Sequence, residues 1–132
     1  MAMFGKVTLG IFCLVFAKFS FCAEKGLNYE SNNKTFTLKE ECISSLVMNH
    51  YIFDSKEYYS LSVRLKNSRN CSLALNGIIE ENIGNHLRIY FNSDLLIDSY
   101  IAGKLNTENG FKMPLDSKKL GDKILSFYHK NS

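Results

Sequence analysis

Two stretches of the chain alternate apolar and polar side chains, which is the period of a strand with one buried face. The first covers residues 59–65 and follows an apolar run at residues 46–53 that is also typical of a strand. The second covers residues 87–91, and the polar residues 92–94 supply a turn into a further strand over residues 95–101. The pattern therefore predicts two β-hairpins.

Two other stretches repeat apolar residues at the spacing of an amphipathic helix. The first set is Cys71, Ala74, Leu75, Ile78 and Ile79, and the second is Leu120, Ile124, Phe127 and Tyr128. We expect Asn67 or Ser68 to cap the first helix and Gly84 to end it. Asp116 is expected to cap the second helix, and residues 111–113 to form a short edge strand before it.

The order of hairpin, helix, hairpin and helix predicts an α+β fold. Its mostly antiparallel sheet is expected to have about four to five strands, with both helices packed on one face. Residues 23–34 are polar and are predicted to be a flexible lead-in, so that residues 35–130 form a single domain. Thr37 and Glu40 are expected to cap a short helical turn that ends at Cys42.

Residues 1–22 have the layout of a secretory signal peptide. Lys6 precedes an apolar run at residues 7–17, which is too short for a bilayer span of about 20 residues. Small residues before Ala23 favour cleavage there, and a cut before Lys18 is the alternative. The sequence thus predicts an exported protein without a transmembrane segment in its mature form.

Removing this segment changes the charge and cysteine counts. Lys6 and Lys18 account for two of the 16 basic residues, which leaves 14 against 13 acidic residues, a net charge of +1. A nearly neutral chain lacks the electrostatic footprint of a nucleic-acid or anionic-membrane binder. Of the four cysteines, Cys42 and Cys71 remain, and in an oxidising compartment we expect them to form a disulfide, with two unpaired buried thiols as the alternative.

One stretch resembles a known family. Residues 82–101, which read NIGNHLRIYFNSDLLIDSYI, resemble the head subdomain of the first periplasmic domain of SecD, a protein-translocation subunit. They are similar to that family's helix end, strand, tight turn and following strand, and the resemblance extends over most of residues 35–128. It implies a free-standing periplasmic relative of a head that contacts proteins and has no chemistry of its own.

No pattern in the sequence indicates catalysis or a bound cofactor. His50, His86 and His129 lie far apart along the chain, and a zinc site needs converging ligands such as those of an HExxH motif. The chain contains no Gly-x-Ser-x-Gly nucleophile motif and no glycine-rich phosphate loop. We therefore expect neither a metal nor a cofactor, and a hydrolytic enzyme is a disfavoured interpretation.

Two tyrosines and two arginines are the candidates for a binding surface. Tyr58 and Tyr90 lie in the phase opposite to the apolar faces of their strands, and Arg64 and Arg88 are expected beside them on an open sheet face. Exposed Tyr and Arg are enriched at protein-binding hot spots. The sequence predicts contact with an envelope or exported protein through this face or an edge strand, and ordinary cross-strand pairs are the alternative.

A secreted inhibitor or immunity protein that blocks a hydrolase or toxin is the alternative function. The size of the chain, its single expected disulfide and its nearly neutral charge allow this as well. Such a protein carries a loop that enters an active site, and the polar residues 103–110 are the long loop available for that role.

Overall fold

The computed structural model describes residues 25–130, so the predicted signal peptide and its cleavage site before Ala23 or Lys18 lie outside the described residues. Two 3₁₀ turns, Glu40–Cys42 and Thr107–Asn109, interrupt the connections between regular elements. No helix within the described part of the chain is long and apolar enough to cross a membrane. The helices and strands are β1 (Leu27–Ser31), β2 (Lys34–Thr37), β3 (Ile43–Phe53), β4 (Lys56–Leu65), α1 (Ser72–Glu81), β5 (His86–Phe91), β6 (Asp94–Tyr100), β7 (Phe111–Leu115) and α2 (Lys118–Lys130).

The α+β class is confirmed, but the strands form two antiparallel sheets instead of one. Sheet 1 has four strands in the order β2-β1-β5-β6, and sheet 2 has three in the order β3-β4-β7. The helices were expected on one face of a single sheet. Instead α1 packs against β1 and β2 of sheet 1, whereas α2 packs against the three strands of sheet 2.

The prediction of a flexible lead-in over residues 23–34 is wrong from Leu27 onward, and the domain therefore begins before residue 35. Leu27 and Tyr29 are fully buried, and β1 pairs with β2 on one side and β5 on the other. The alternation of apolar and polar residues covers only Leu27 to Glu30, and the polar Asn28 and Ser31 are buried as well, so the sequence gives only a short signal for this strand. β1 pairs with one edge of β5 and β6 pairs with the other. The β3–β4 hairpin therefore forms a separate sheet with β7.

Each of the three hairpins turns through two residues with positive φ, the backbone of a type I′ turn. Asn, Asp and Ser occupy these positions, and Asn and Asp adopt the left-handed conformation more readily than most residues. The six residues are Asn32, Asn33, Asp54, Ser55, Asn92 and Ser93. Type I′ geometry matches the right-handed twist of the flanking strands, so the polar pairs fix the register of all three hairpins.

Both sheets contribute side chains to one core. Tyr29 of sheet 1 donates its hydroxyl proton to Met113 Sδ of sheet 2 over 3.2 Å, and its ring meets the edge of Phe111 at a centroid distance of 6.0 Å. Leu75 of α1 and Ile124 of α2 are both fully buried in the same cluster. The two sheets are therefore held together by packing and not by strand pairing.

The Tyr128 hydroxyl joins α2 to the start of the domain. It accepts the Leu27 N–H at 2.8 Å and donates to the Leu38 carbonyl at 2.8 Å, both in buried surroundings. Burial raises the pKa of Tyr128 to about 12. Gly26 has φ +92°, and a Cβ there would lie 2.9 Å from the Tyr128 oxygen, so glycine permits this close approach.

The predicted disulfide between Cys42 and Cys71 is confirmed. Their Cα atoms lie 5.2 Å apart, and the bridge joins the 3₁₀ turn to the start of α1 across a sequence separation of 29. Closing a loop of this length stabilises a fold by roughly 3.5 kcal/mol in the chain-entropy model. Lys66 N–H also donates to the Cys42 carbonyl at 2.8 Å, so covalent and hydrogen bonds fix the same corner.

The helix caps differ from those predicted. Cys71 is the N-cap of α1, without a side-chain hydrogen bond, and neither Asn67 nor Ser68 holds that place. At α2, Ser117 Oγ accepts the Leu120 N–H at 3.1 Å, one residue beyond the predicted Asp116. Thr37 lies in β2 and donates its hydroxyl proton to the buried Asn28 side chain at 2.6 Å, so it does not cap the 3₁₀ turn.

We expect Tyr128→Phe to lower the free energy of unfolding by about 1–3 kcal/mol, because it leaves a buried N–H and a buried carbonyl without a partner. Tyr100→Phe is the matched control, since its ring is 61% exposed. Equilibrium denaturation of both variants checks this. Equal stability of Tyr128→Phe and the unmodified protein would show that the buried hydroxyl does not hold α2 to β1.

Candidate protein-binding surface

The four residues predicted to form one open face lie on two different sheets. Tyr58 and Arg64 belong to β4 in sheet 2, whereas Arg88 and Tyr90 belong to β5 in sheet 1. Each pair shares a face of its own strand because its members are an even number of positions apart. The predicted surface is therefore divided into two separate pairs, and each pair has its own set of neighbouring side chains.

Arg88 belongs to a row of charged groups on the outer face of sheet 1. Its guanidinium lies 3.8 Å from Glu30 and 3.3 Å from Asp98, and these residues are its cross-strand partners on β1 and β6. Asp98 also lies 2.7 Å from His86 Nδ1. Tyr90 lies on the same strand as Arg88, and its partial burial is the largest cause of its raised pKa. This arrangement is that of cross-strand pairs that stabilise a sheet.

Tyr58 and Arg64 lie toward opposite ends of β4, about 20 Å apart at the rise of an extended strand. Arg64 borders a shallow depression of about 280 Å³ that also contains Gly110 and Lys112. Tyr58 stacks on Tyr51 of β3, with ring centroids 5.3 Å apart and an interplanar angle of 18°. Tyr58 therefore lies against another exposed aromatic ring.

The β3–β4 hairpin extends beyond the rest of sheet 2. β7 pairs with β4 from Tyr59 to Val63, whereas β3 and β4 continue to pair as far as Phe53 and Lys56. Every residue from 50 to 58 is exposed. We call residues 50–58 the arm, and it is a two-stranded projection that no other described element covers.

Large apolar side chains are concentrated on the arm. Tyr51, Ile52 and Phe53 are 57%, 66% and 68% exposed, and Tyr58 is 38% exposed. The cross-strand register places Tyr51, Phe53 and Tyr58 on the outer face and Ile52 on the face that continues into the core. Contiguous exposed apolar side chains of this kind mark interaction sites more often than scattered ones do.

Polar contacts hold the base of the arm. His50 stacks on Tyr59, with ring centroids 4.7 Å apart, and its Nε2 lies 3.2 Å from Glu57 Oε1. Tyr59 donates its hydroxyl proton to the same Glu57 oxygen at 2.7 Å. This hydrogen bond and then the His50 charge lower the pKa of Glu57, and the hydrogen bond also raises the pKa of Tyr59. The three side chains thus link both strands where the arm begins.

The loop at residues 103–110 is attached to α1 at Thr107. Thr107 is fully buried, and its backbone N–H and its hydroxyl both donate to Asn76 Oδ1 at 2.8 Å. Asn76 Nδ2 donates in turn to Glu108 at 3.0 Å, and this bond lowers the pKa of the Glu108 carboxyl. The loop predicted to enter an active site is therefore held to α1 through Thr107 and Glu108.

The three histidines stay apart in the structure. His50 lies on the arm, His86 on sheet 1 and His129 in α2. Among residues 25–130, no three His, Cys, Asp or Glu side chains are grouped as metal ligands.

Tyr58 was predicted from its position on β4, whereas Tyr51, Ile52 and Phe53 were not predicted to belong to a binding surface. The available signal was the Tyr-Ile-Phe run immediately before the Asp-Ser turn, which places apolar side chains on both faces of a strand end. Whether another element covers such a strand end depends on the length of β7, and local patterns do not report that length.

Comparison of this chain with protein-family models, with curated proteins and with solved structures returns no match. The resemblance to the SecD periplasmic head therefore stays a prediction.

We expect acid to loosen the base of the arm through Glu57. The folded arm lowers the pKa of this carboxyl. The contacts of ionised Glu57 therefore stabilise the arm fully above the usual pKa range of Glu, and this stabilisation is lost as the pH falls through the lowered pKa. The NMR chemical shifts of Tyr59 and of the arm amides should therefore change in one shared step on acidification from about pH 5 to pH 2. Glu57→Gln is the control and should abolish the shared step. An identical step in this variant would assign it to another group.

Proposed function

We propose that this protein is an exported, non-enzymatic protein-binding module that contacts its partner through the outer face of the arm. The observation that carries this proposal is the group of three exposed aromatic side chains, Tyr51, Phe53 and Tyr58, on one face of an uncovered hairpin. Aromatic side chains bury a large area on binding and lose little conformational freedom, so they are frequent anchors of protein interfaces.

The charge of the arm favours a protein partner over an anionic surface. Asp54 and Glu57 against Lys56 give the arm a net charge of −1, with histidine neutral. Nucleic acids and anionic membranes attract surfaces with an excess of Lys and Arg. An apolar surface with few and balanced charges is typical of the centre of a protein interface.

Export to the periplasm is supported by two independent features. The Cys42–Cys71 disulfide is of the kind that persists in oxidising compartments. Residues 1–22 have the layout of a signal peptide. The resemblance to the SecD head points to the same compartment and to contact with exported or envelope proteins.

The attachment of residues 103–110 to α1 at Thr107 favours a binding module over an inhibitor or immunity protein. An inhibitor loop has to project and match an active site, and Thr107 is instead fixed beneath α1 by the Asn76 side chain. The arm does project, but its stacked Tyr51 and Tyr58 form a face and not a narrow loop. A face of this kind suits a broad protein surface.

Site-specific photo-crosslinking in an envelope extract tests the proposed function. A photoreactive residue in place of Tyr58 should yield a discrete protein adduct, because the arm contacts the partner there. The same residue in place of Tyr100 is the control, since Tyr100 is at least as exposed but lies on sheet 1.

The adduct at position 58 should disappear when Tyr51 and Phe53 are both changed to Ser, while circular dichroism of the folded protein stays unchanged. Adducts of equal yield at positions 58 and 100, or no adduct at position 58, would contradict a partner surface on the arm.

A further inference from the structure

The four edge strands of the two sheets differ in how they discourage pairing with another chain. β2 is short and carries Lys34, β6 carries Asp94 and Asp98, and β7 carries Lys112 and Pro114. Charged residues and proline are the usual means by which proteins protect an exposed edge. Three of the four edges are therefore protected.

β3 lacks charged residues and proline, and its bulge lies at its start, between Ile43 and Ser45. Its 11 residues, ISSLVMNHYIF, include no Asp, Glu, Lys, Arg or Pro. It pairs with β4 along one side, and within residues 25–130 no strand pairs with its other side. Such an edge presents a row of backbone donors and acceptors to another strand.

Antiparallel pairing of β3 with β3 of a second copy creates no charge conflict. The two-fold axis of such a pair is perpendicular to the sheet, so each residue stays on its own face. β3 carries no Asp, Glu, Lys or Arg, and a two-fold axis near Val47 places the His50 side chains of the two copies at opposite ends of the new pair, so no like charges meet along it. Self-pairing of β6, in contrast, brings Asp94 opposite Asp98 in one of its registers.

One end of β3 projects and the other end borders a groove. At its far end Ile52, which is 66% exposed, lies on the face that continues into the core. A groove of about 540 Å³ lies beside the first residues of β3, and Ile43, Leu46 and Tyr128 border it together with the polar residues Glu40, Glu41, Lys66 and His129. A two-fold axis near Val47 brings the projecting end of each copy to the groove of the other.

We propose that two copies of this chain associate through their β3 edges into one six-stranded antiparallel sheet, formed from two three-stranded ones. The arm tip of each copy lies along the groove of the other, and the outer faces that carry Tyr51 and Tyr58 stay open on the same side of the joined sheet. The self-association surface is thus the edge of sheet 2, and the surface proposed for the partner is its outer face.

Sedimentation of the purified protein tests this association. We expect a concentration-dependent dimer that Val47→Lys weakens by about two- to fivefold at low salt, the effect of like charges on paired strands. Leu95→Lys is the matched control, because Leu95 and Val47 are 52% and 50% exposed and both lie on edge strands. This control should leave the dimer unchanged.

A charge-pairing measurement separates the interface from a folding defect. An equimolar mixture of Val47→Lys and Val47→Glu should associate more strongly than either variant alone at the same total concentration, because opposite charges then face each other. A mixture that associates no better than its components would overturn the proposal, as would a monomer at all concentrations up to about 1 mM. A monomer that still forms the adduct at position 58 would overturn the dimer and leave the partner surface intact.

Discussion

The difference in length between the β3–β4 hairpin and β7 determines which part of this molecule is exposed. β7 covers β4 only from Tyr59 to Val63, so the hairpin continues as the arm without a third strand. A two-stranded ribbon is only marginally stable by itself in water. The arm is therefore ordered through the type I′ turn at its tip, the Tyr51–Tyr58 stack and the Glu57 contacts at its base. These contacts hold apolar side chains in water on a fixed backbone.

The order of hairpin, helix, hairpin and helix was predictable because apolar residues recur with the period of the element they build. The pairing of strands into sheets was not. β1 contains the buried polar residues Asn28 and Ser31, whose side chains bond to Thr37 and to the His86 carbonyl, and these contacts exist only after folding. Without β1, the division into two sheets does not follow from the sequence.

The candidate surface was likewise predictable only where it depends on the local sequence. Tyr58 was found because its phase on β4 is a local property, and the disulfide was found because only two cysteines remain after the signal peptide. Arg88 was grouped with Tyr58 on the assumption of one sheet, and in the structure it pairs with Glu30 and Asp98 on the other sheet. Ile52 and Phe53 are exposed because no described element covers the arm, and this is a property of the whole fold.

We propose that β3 is an ordered strand whose free edge a second copy of this chain covers. Residue-by-residue hydrogen exchange of the β3 amides measures this directly, because amides that face β4 are hydrogen-bonded and those that face outward are not. In dilute protein we expect protected and unprotected amides to alternate from Ser45 to Phe53, and the outward amides to gain protection as the concentration rises. Rapid exchange of every amide in residues 50–58 would show that the arm is not ordered, and would contradict the account.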